Sequence, residues 1–347
     1  MAVSVGVWSP CGPTRWGLWN GCAVGAATEH NRAVRHPEPL PASLLGVPFH
    51  VREAAERDVS RSRTRASDLV SPFFGVRTRP LPPPPLGLDV TAQRRRIILD
   101  RCRSYAARAG TDEFFSHVTA AILLGLPLPR RLLRDVSLDV SVFAPSFPPQ
   151  ARGVRGHRLS RPTRLVVEEG LPCSSALDAW VQLAPILSVD ELVYIADALV
   201  RRKRPFSDLA GLVAVADAAA GRPGCRKLAL SLPEVREGVD SPKETQARLI
   251  IVRSGLPEPV IGYEVHDDDG FFVGTPDLAY VTERIALDYE GDGHRSDTRV
   301  FRDDVERKEL FADARWRYIR VTEDHVSQPH RLVARVARAL RDQGWRP

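Results

Sequence analysis

The stretch LDYEGDGH, residues 287–294, sets Asp288, Glu290, Asp292 and His294 in one short run, and Asp277 precedes it in GTPD. On a β-strand, residues two apart share a face, so Asp288 and Glu290 would point the same way. Ionised carboxylates are almost never buried without a partner. A divalent cation suits them, because hard ions take oxygen ligands and Mg²⁺ needs only one or two carboxylates plus phosphate and water. The expected metal ligands are Asp277, Asp288 and Glu290, with Mg²⁺ or Mn²⁺ as cofactor. Such an ion polarises a phosphate and lowers the pKa of a bound water. Glu290 or His294 would then orient or deprotonate that water, and Arg307 or Arg320 would steady the phosphate charge. The structural alternative is an exposed strand end whose acids pair with Arg307 or Arg320.

These residues need elements to hold them. SPKETQARLIIVRSGLPEP, residues 241–259, puts Ser241, Pro242 and Glu244 at N-cap, N1 and N3 of a helix. That is a capping box with proline where its missing N–H costs nothing, which gives Glu244 a structural role. PVIGYEVHD and FFVGTPDLAY read as strands joined by the turn DDDG, and RIALDYE as a third strand. Helix TRVFRDDVERKELFADA, strand WRYIRVT and helix PHRLVARVARALRDQ follow. The order α-β-β-β-α-β-α predicts a mixed sheet flanked by helices. Ile285, Leu287 and Tyr289 would form one face of the third strand, and Ala286, Asp288 and Glu290 the other. The inward stripe of the next helix, by spacing, is Val300, Asp303, Asp304, Arg307, Leu310, Phe311 and Ala314. Its charged half lies nearest the acids, the kind of break in pattern expected at a functional site.

The chain has 347 residues, 43% of them apolar and 27% charged, as in a soluble multidomain protein. No run approaches the ~18 uncharged apolar residues of a membrane helix. Five scattered cysteines with no Cys-x-x-Cys pair suit a reducing cytoplasm. The net charge of +6 divides into +10 over residues 1–239 and −4 over 240–347. A basic front part suits a polyanion such as DNA, and equally an arginine-rich coding bias.

Residues 1–40 lack periodicity, and Pro10, Pro13 and Arg15 interrupt any signal-peptide core, so a disordered extension or over-long start is expected. Residues 41–80 read as helix, turn, helix and wing. VREAAERD would be the first helix, and RSRTRASDL, capped by Ser60, the second. Arg61, Arg63 and Arg65, with small Ser62 between them, would then meet DNA from the start of a recognition helix. The bland alternative is a solvated basic helix. LPPPPLG, residues 81–87, is a stiff linker. In the middle region, 88–240, TAQRRRIILDRCRSYA fits strand or helix, and DEFFSHVTAAILLGLPLP reads as an apolar helix with His117 as a core histidine. RLVVEE reads as a strand, and two helices follow, the second capped by Ser188. No catalytic constellation is visible there.

SPKET, SGLPEP, GTPDLAY, IALDYEGDGHR, RDDVERKELF and WRYIRVT, in this order, resemble the very-short-patch-repair-like branch of the PD-(D/E)XK nucleases over residues 240–342. The resemblance implies a restriction-endonuclease-like domain over 241–347, with Asp277 and Asp288 as metal ligands and Glu244 as the helical acid. Glu290 stands where many of these nucleases have a catalytic lysine, and His294 matches a histidine usual after the strand. VSRSRTRASDLVSPFFGVR, FFSHVTAAILLGLPLP and VRGHRL are similar to AbiEi-type antitoxins, whose winged helix binds DNA. That likeness implies a DNA partner and a cognate toxin protein. The expected fold is therefore an α+β or α/β multidomain chain: winged helix-turn-helix, mixed middle region, nuclease-like end. Two functions stand side by side, a metal-dependent DNA endonuclease and a non-catalytic DNA-binding regulator on a degenerate nuclease fold.

Overall fold

The computed structural model describes residues 37–83, 85, 87, 89–160, 162–290 and 298–346, without the side chains of 298–305. Residues 1–36, which carry most of the expected extension, lie outside the described residues. Met1–Glu38 and Pro39–Pro347 are separate units, and the elements below belong to the second.

The chain first forms β1 (Phe49–His50), α1 (Val51–Glu56) and β2 (Val76–Arg77), with β1 and β2 antiparallel. Leu40, Leu44, Phe49 and Ala54 make a small core here. The expected helix over RSRTRASDL does not form; Arg63–Arg65 is a single 3-10 turn. Local hydroxyl bonds compete with helix formation. Ser60 Oγ accepts from the Arg63 N–H (3.2 Å), and Thr64 Oγ1 donates to the Arg61 carbonyl (3.0 Å). Arg63 then turns inward to Asp68 through two parallel bonds of 2.8 Å. The helical part of the winged-helix expectation is thus reduced, among the described residues, to α1.

The middle region begins with α2 (Val90–Ala106), whose start is fixed by the Asp89 side chain accepting from Thr91 N and Ala92 N. The expected single apolar helix after it is two elements, β3 (Phe114–Phe115) and α3 (His117–Leu123), divided at extended Ser116. Then come β4 (Leu138–Phe143), β5 (Val154–Leu159), β6 (Leu165–Glu168) and β7 (Leu171–Ser174). They form a five-stranded sheet in the order β5-β4-β3-β7-β6. Pairing on both sides takes Phe114 and Phe115 out of the helix. Helices α4 (Ala176–Leu183), α5 (Val189–Leu199), α6 (Leu209–Ala218) and α7 (Cys225–Ser231) follow. Ser188 and Glu191 make a full capping box on α5.

The last region runs α8 (Pro242–Arg253), β8 (Val260–Ile261), β9 (Val265–His266), β10 (Phe272–Gly274), β11 (Leu278–Tyr280) and β12 (Ile285–Tyr289). It ends with α9 (Thr298–Asp313), β13 (Arg317–Val321), α10 (Glu323–Ser327) and α11 (Pro329–Asp342). Each of the first two expected strands is cut in two, and β9 and β10 leave to pair with each other. Pro276, between β10 and β11, has no N–H for a ladder. The remaining sheet has the order β13-β12-β11-β8, with β12 antiparallel to β11 and parallel to β13. Ile285 and Leu287 share a core with Ile251 of α8 and Leu332 and Val336 of α11. Ala286, on the other face, packs with Phe311 and Trp316. Phe311 and Ala314 face inward as the spacing predicts, but Leu310 is 46% exposed and leaves the stripe.

Helix α8 is anchored to the middle region. Asp197 of α5 accepts from Thr245 Oγ1 (2.8 Å) and Arg248 Nη2 (3.2 Å), and all three side chains are buried. That anchorage sets where the start of α8, with Glu244, lies against the sheet. Among the described residues no helix is long and apolar enough to cross a membrane.

Candidate functional site

Strand β12 is paired on both edges, so the direction of its side chains is fixed. Asp288 is only 7% exposed. Its Oδ1 accepts from the Asp277 N–H (2.8 Å), and its Oδ2 from Arg307 Nε (2.8 Å). Arg307 also donates to the Thr275 carbonyl at 3.0 Å, which locks its guanidinium over the turn before β11. Asp277 Oδ2 in return accepts from the Tyr289 N–H at 2.7 Å. The two aspartates therefore hold each other's elements through backbone amides.

Glu244 arrives from α8. Ser241 Oγ caps the Glu244 N–H (3.3 Å), but Glu244 Oε2 reaches past the N-cap to the Asp240 N–H (3.0 Å). The expected capping box is thus shifted by one residue, and Glu244 is buried beside Asp277. Burial, then the Glu244 and Asp288 carboxylates, push the Asp277 carboxyl up to about 8; the Tyr289 N–H and Arg307 offset this only in part. Glu244 is raised too, first by burial. Among the described residues, no donor is bonded to Asp277 Oδ1, whereas the Glu244 carboxylate takes hydrogen bonds from Asp240 and Ser241.

The other sequence candidates divide. Arg307 joins Asp288 as expected. Glu290 Oε2 pairs with Arg320 Nε at 2.5 Å, the ion pair expected of the structural alternative. The Glu290 N–H still donates to the Val321 carbonyl at 2.8 Å, so the ladder with β13 reaches Glu290 and brings its carboxylate to Arg320. His294 lies outside the described residues. Among the described residues no group of three His, Cys, Asp or Glu side chains is arranged to hold a metal by itself. In the front region Arg61, Ser62 and Arg65 are exposed, whereas Arg63 is 6% exposed and already paired.

Two features escaped sequence reasoning. Tyr318 lies on β13 beside the acids, its hydroxyl pushed up first by burial and then by Asp288. The period of two along WRYIRVT, which sets Tyr318 and Arg320 on one face, would have found it. In the middle region Asp139 takes Arg155 at 2.8 and 2.9 Å and His157 at 2.9 Å, and His157 stacks on His117 at 4.0 Å. Arg155 and His157 lie two apart on β5, and only the pairing of β5 with β4 brings them to Asp139.

No family model matches this chain, and no solved structure matches it. Two uncharacterized proteins of Mycobacterium tuberculosis, one from strain CDC 1551 / Oshkosh and one from strain ATCC 25618 / H37Rv, are each 30% identical to it over 167 residues. The match covers 47% of this chain and 60% of each relative's length.

Proposed function

We propose that residues 241–347 hydrolyse phosphodiester bonds in DNA with a divalent cation, Mg²⁺ or Mn²⁺, bound at Asp277 and Glu244. The observation that carries this reading is the Asp277 carboxyl, pushed up to about 8 by burial and by two neighbouring carboxylates, with an oxygen that no described donor satisfies. A buried acid pressed by like charges rather than matched by opposite ones marks a functional site more often than a structural one. The donor set fits Mg²⁺, which accepts one or two carboxylates and takes its remaining ligands from phosphate and water, and does not fit a closed protein cage. When bound, the ion supplies Lewis-acid polarisation of a phosphate oxygen and an acidified water.

The chain's own residues do the rest. Asp288 aligns Arg307 and the Asp277 amide. Arg307, held over the site by Asp288 and the Thr275 carbonyl, steadies charge that develops on the phosphate. Proton transfer falls to His294 in this reading.

One observation favours the second function, a DNA-binding regulator without catalysis: Arg307 already neutralises Asp288, as a structural ion pair would. Calorimetry with Mg²⁺ or Mn²⁺, together with cleavage of supercoiled, linear and mismatched DNA, separates the two. Ion binding that vanishes in Asp277→Asn, with metal-dependent cleavage, is the expected result. Equal binding by wild type and variant, or no cleavage of any DNA form, replaces the enzyme with the regulator.

A further inference from the structure

The face of the C-terminal sheet that carries Asp288 continues into a cavity of about 600 Å³. In the parallel register Ala286 faces Tyr318 and Asp288 faces Arg320, so these four side chains share one side of the sheet. The cavity is lined by Lys308 from α9, Trp316, Tyr318 and Arg320 at β13, His325 from α10 and Arg335 from α11. Among the described residues, none that lines it is acidic. Arg320 has Glu290 as its counter-ion. Lys308 and Arg335 form no ion pair with a described residue.

The hydrogen bonds inside the cavity leave a mismatch. The Thr322 N–H donates to His325 Nδ1 at 3.1 Å, so Nδ1 is the acceptor nitrogen and the ring proton sits on Nε2. His325 Nε2–H then faces Arg335 Nη1 at 3.4 Å, two donors with no acceptor between them. Arg335 Nη1 is held there by the Arg320 carbonyl at 3.2 Å, so the guanidinium is positioned rather than loose. Burial, then the Arg335 and Arg331 charges, keep His325 below the usual histidine range, which favours the neutral ring. An anionic oxygen between the two nitrogens would accept from both.

We propose that this cavity binds a phosphodiester group of a DNA strand, with His325 Nε2 and Arg335 as donors to its oxygens and Lys308 as a second positive charge. The proposal rests on the phosphodiesterase reading and deepens it. Arg320 borders both places, so a strand reacting at Asp277 would seat a neighbouring phosphate here. The half-buried Tyr318 lines the cavity and also lies beside Asp288, so it borders both places.

The test is fluorescence anisotropy of the full-length chain with a short labelled single DNA strand, without metal, over a series of salt concentrations. Wild type, Arg335→Gln and Lys308→Gln are compared, with a thermal transition recorded for each. Arg335→Gln is expected to bind about tenfold more weakly, the loss of a charged hydrogen bond. Each variant should lower the slope of log affinity against log salt by roughly one unit. Wild-type affinity and slope in folded variants overturn the proposal. So does a cavity that takes inorganic phosphate through Arg335 while the strand does not bind. If Arg335→Gln does not fold, Lys308→Gln decides alone. The hydrolase reading fails separately: a wild type that binds the strand through Arg335 yet cleaves nothing with Mg²⁺ or Mn²⁺ keeps the phosphate site and loses the enzyme.

Discussion

Asp139 in the middle sheet and Asp277 in the C-terminal sheet are both carboxylates drawn out of water, and their surroundings drive them in opposite directions. Burial pushes the Asp139 carboxyl up, but Arg155 and His157 bond to it from the neighbouring strand and hold it below the usual carboxylate range. Burial pushes Asp277 up as well, and there the nearest charges, Glu244 and Asp288, add to the push. One acid is matched by opposite charge and the other is pressed by like charge. Burial alone does not separate a structural acid from a functional one; the sign of the neighbouring charge does.

The largest expected difference between them is in activity. Asp277→Asn should lower metal-dependent cleavage on the order of 10³-fold, while the metal-free variant keeps or gains stability because a repulsion is gone. Denaturant titration beside a cleavage assay reads both. A clear loss of stability in Asp277→Asn would break the contrast and make Asp277 a second Asp139. The reciprocal change is Arg155→Ala. It leaves Asp139 buried without its main partner and should cost about 3 kcal/mol, with no direct effect on cleavage. A change well under 1 kcal/mol would mean that His157 alone satisfies Asp139.

The two acids also give stability opposite pH dependence. A carboxyl raised in the folded state contributes stability that is complete below its unfolded value, ~3.9, and lost as pH climbs through its folded value. For Asp277 that window runs from about 4 to about 8. Asp139, being lowered, contributes stability present above its unfolded value and lost as the solution is made more acid. Metal-free wild type should therefore weaken by a few kcal/mol at most between pH 4 and 8, and Asp277→Asn should flatten that decline. Urea midpoints at several pH values check the sign. A decline of equal slope in both proteins would show that other groups cause it.

Legibility in the sequence followed the range of the interactions. The caps at Ser188 and Ser241 and the alternation along IALDY are local, and the residues announce them. The meeting of Asp277, Asp288 and Arg307 was readable because a strand's period and a helix's stripe each point one way. The alternation along β12 does not reveal that Arg320, across the ladder on β13, takes the Glu290 carboxylate. The His325–Arg335 contact and the Asp139 cluster join segments ten to eighteen residues apart. Neither has a periodic signature, since each depends on how strands and helices are laid side by side.

The smallest expected effects concern the front arginines, where the same contrast between matched and unmatched charge decides which can reach DNA. Arg63 was expected to contact phosphate, but it is buried and bonded twice to Asp68, whose carboxyl it holds below the usual range. Arg63→Ala should therefore act on folding, at about 1.5 kcal/mol, the usual scale for hydrogen bonds to a charged group. Arg61 and Arg65 are exposed, and alanine at either should change stability by no more than ~0.5 kcal/mol. If the turn meets DNA, it does so through these two, and Arg61→Ala should lower the salt slope of binding by roughly one unit while Arg63→Ala lowers stability first. Should Arg61→Ala and Arg65→Ala leave the slope at its wild-type value, the front segment makes no phosphate contact, and the proposed phosphate site at Arg335 is left to be tested without it.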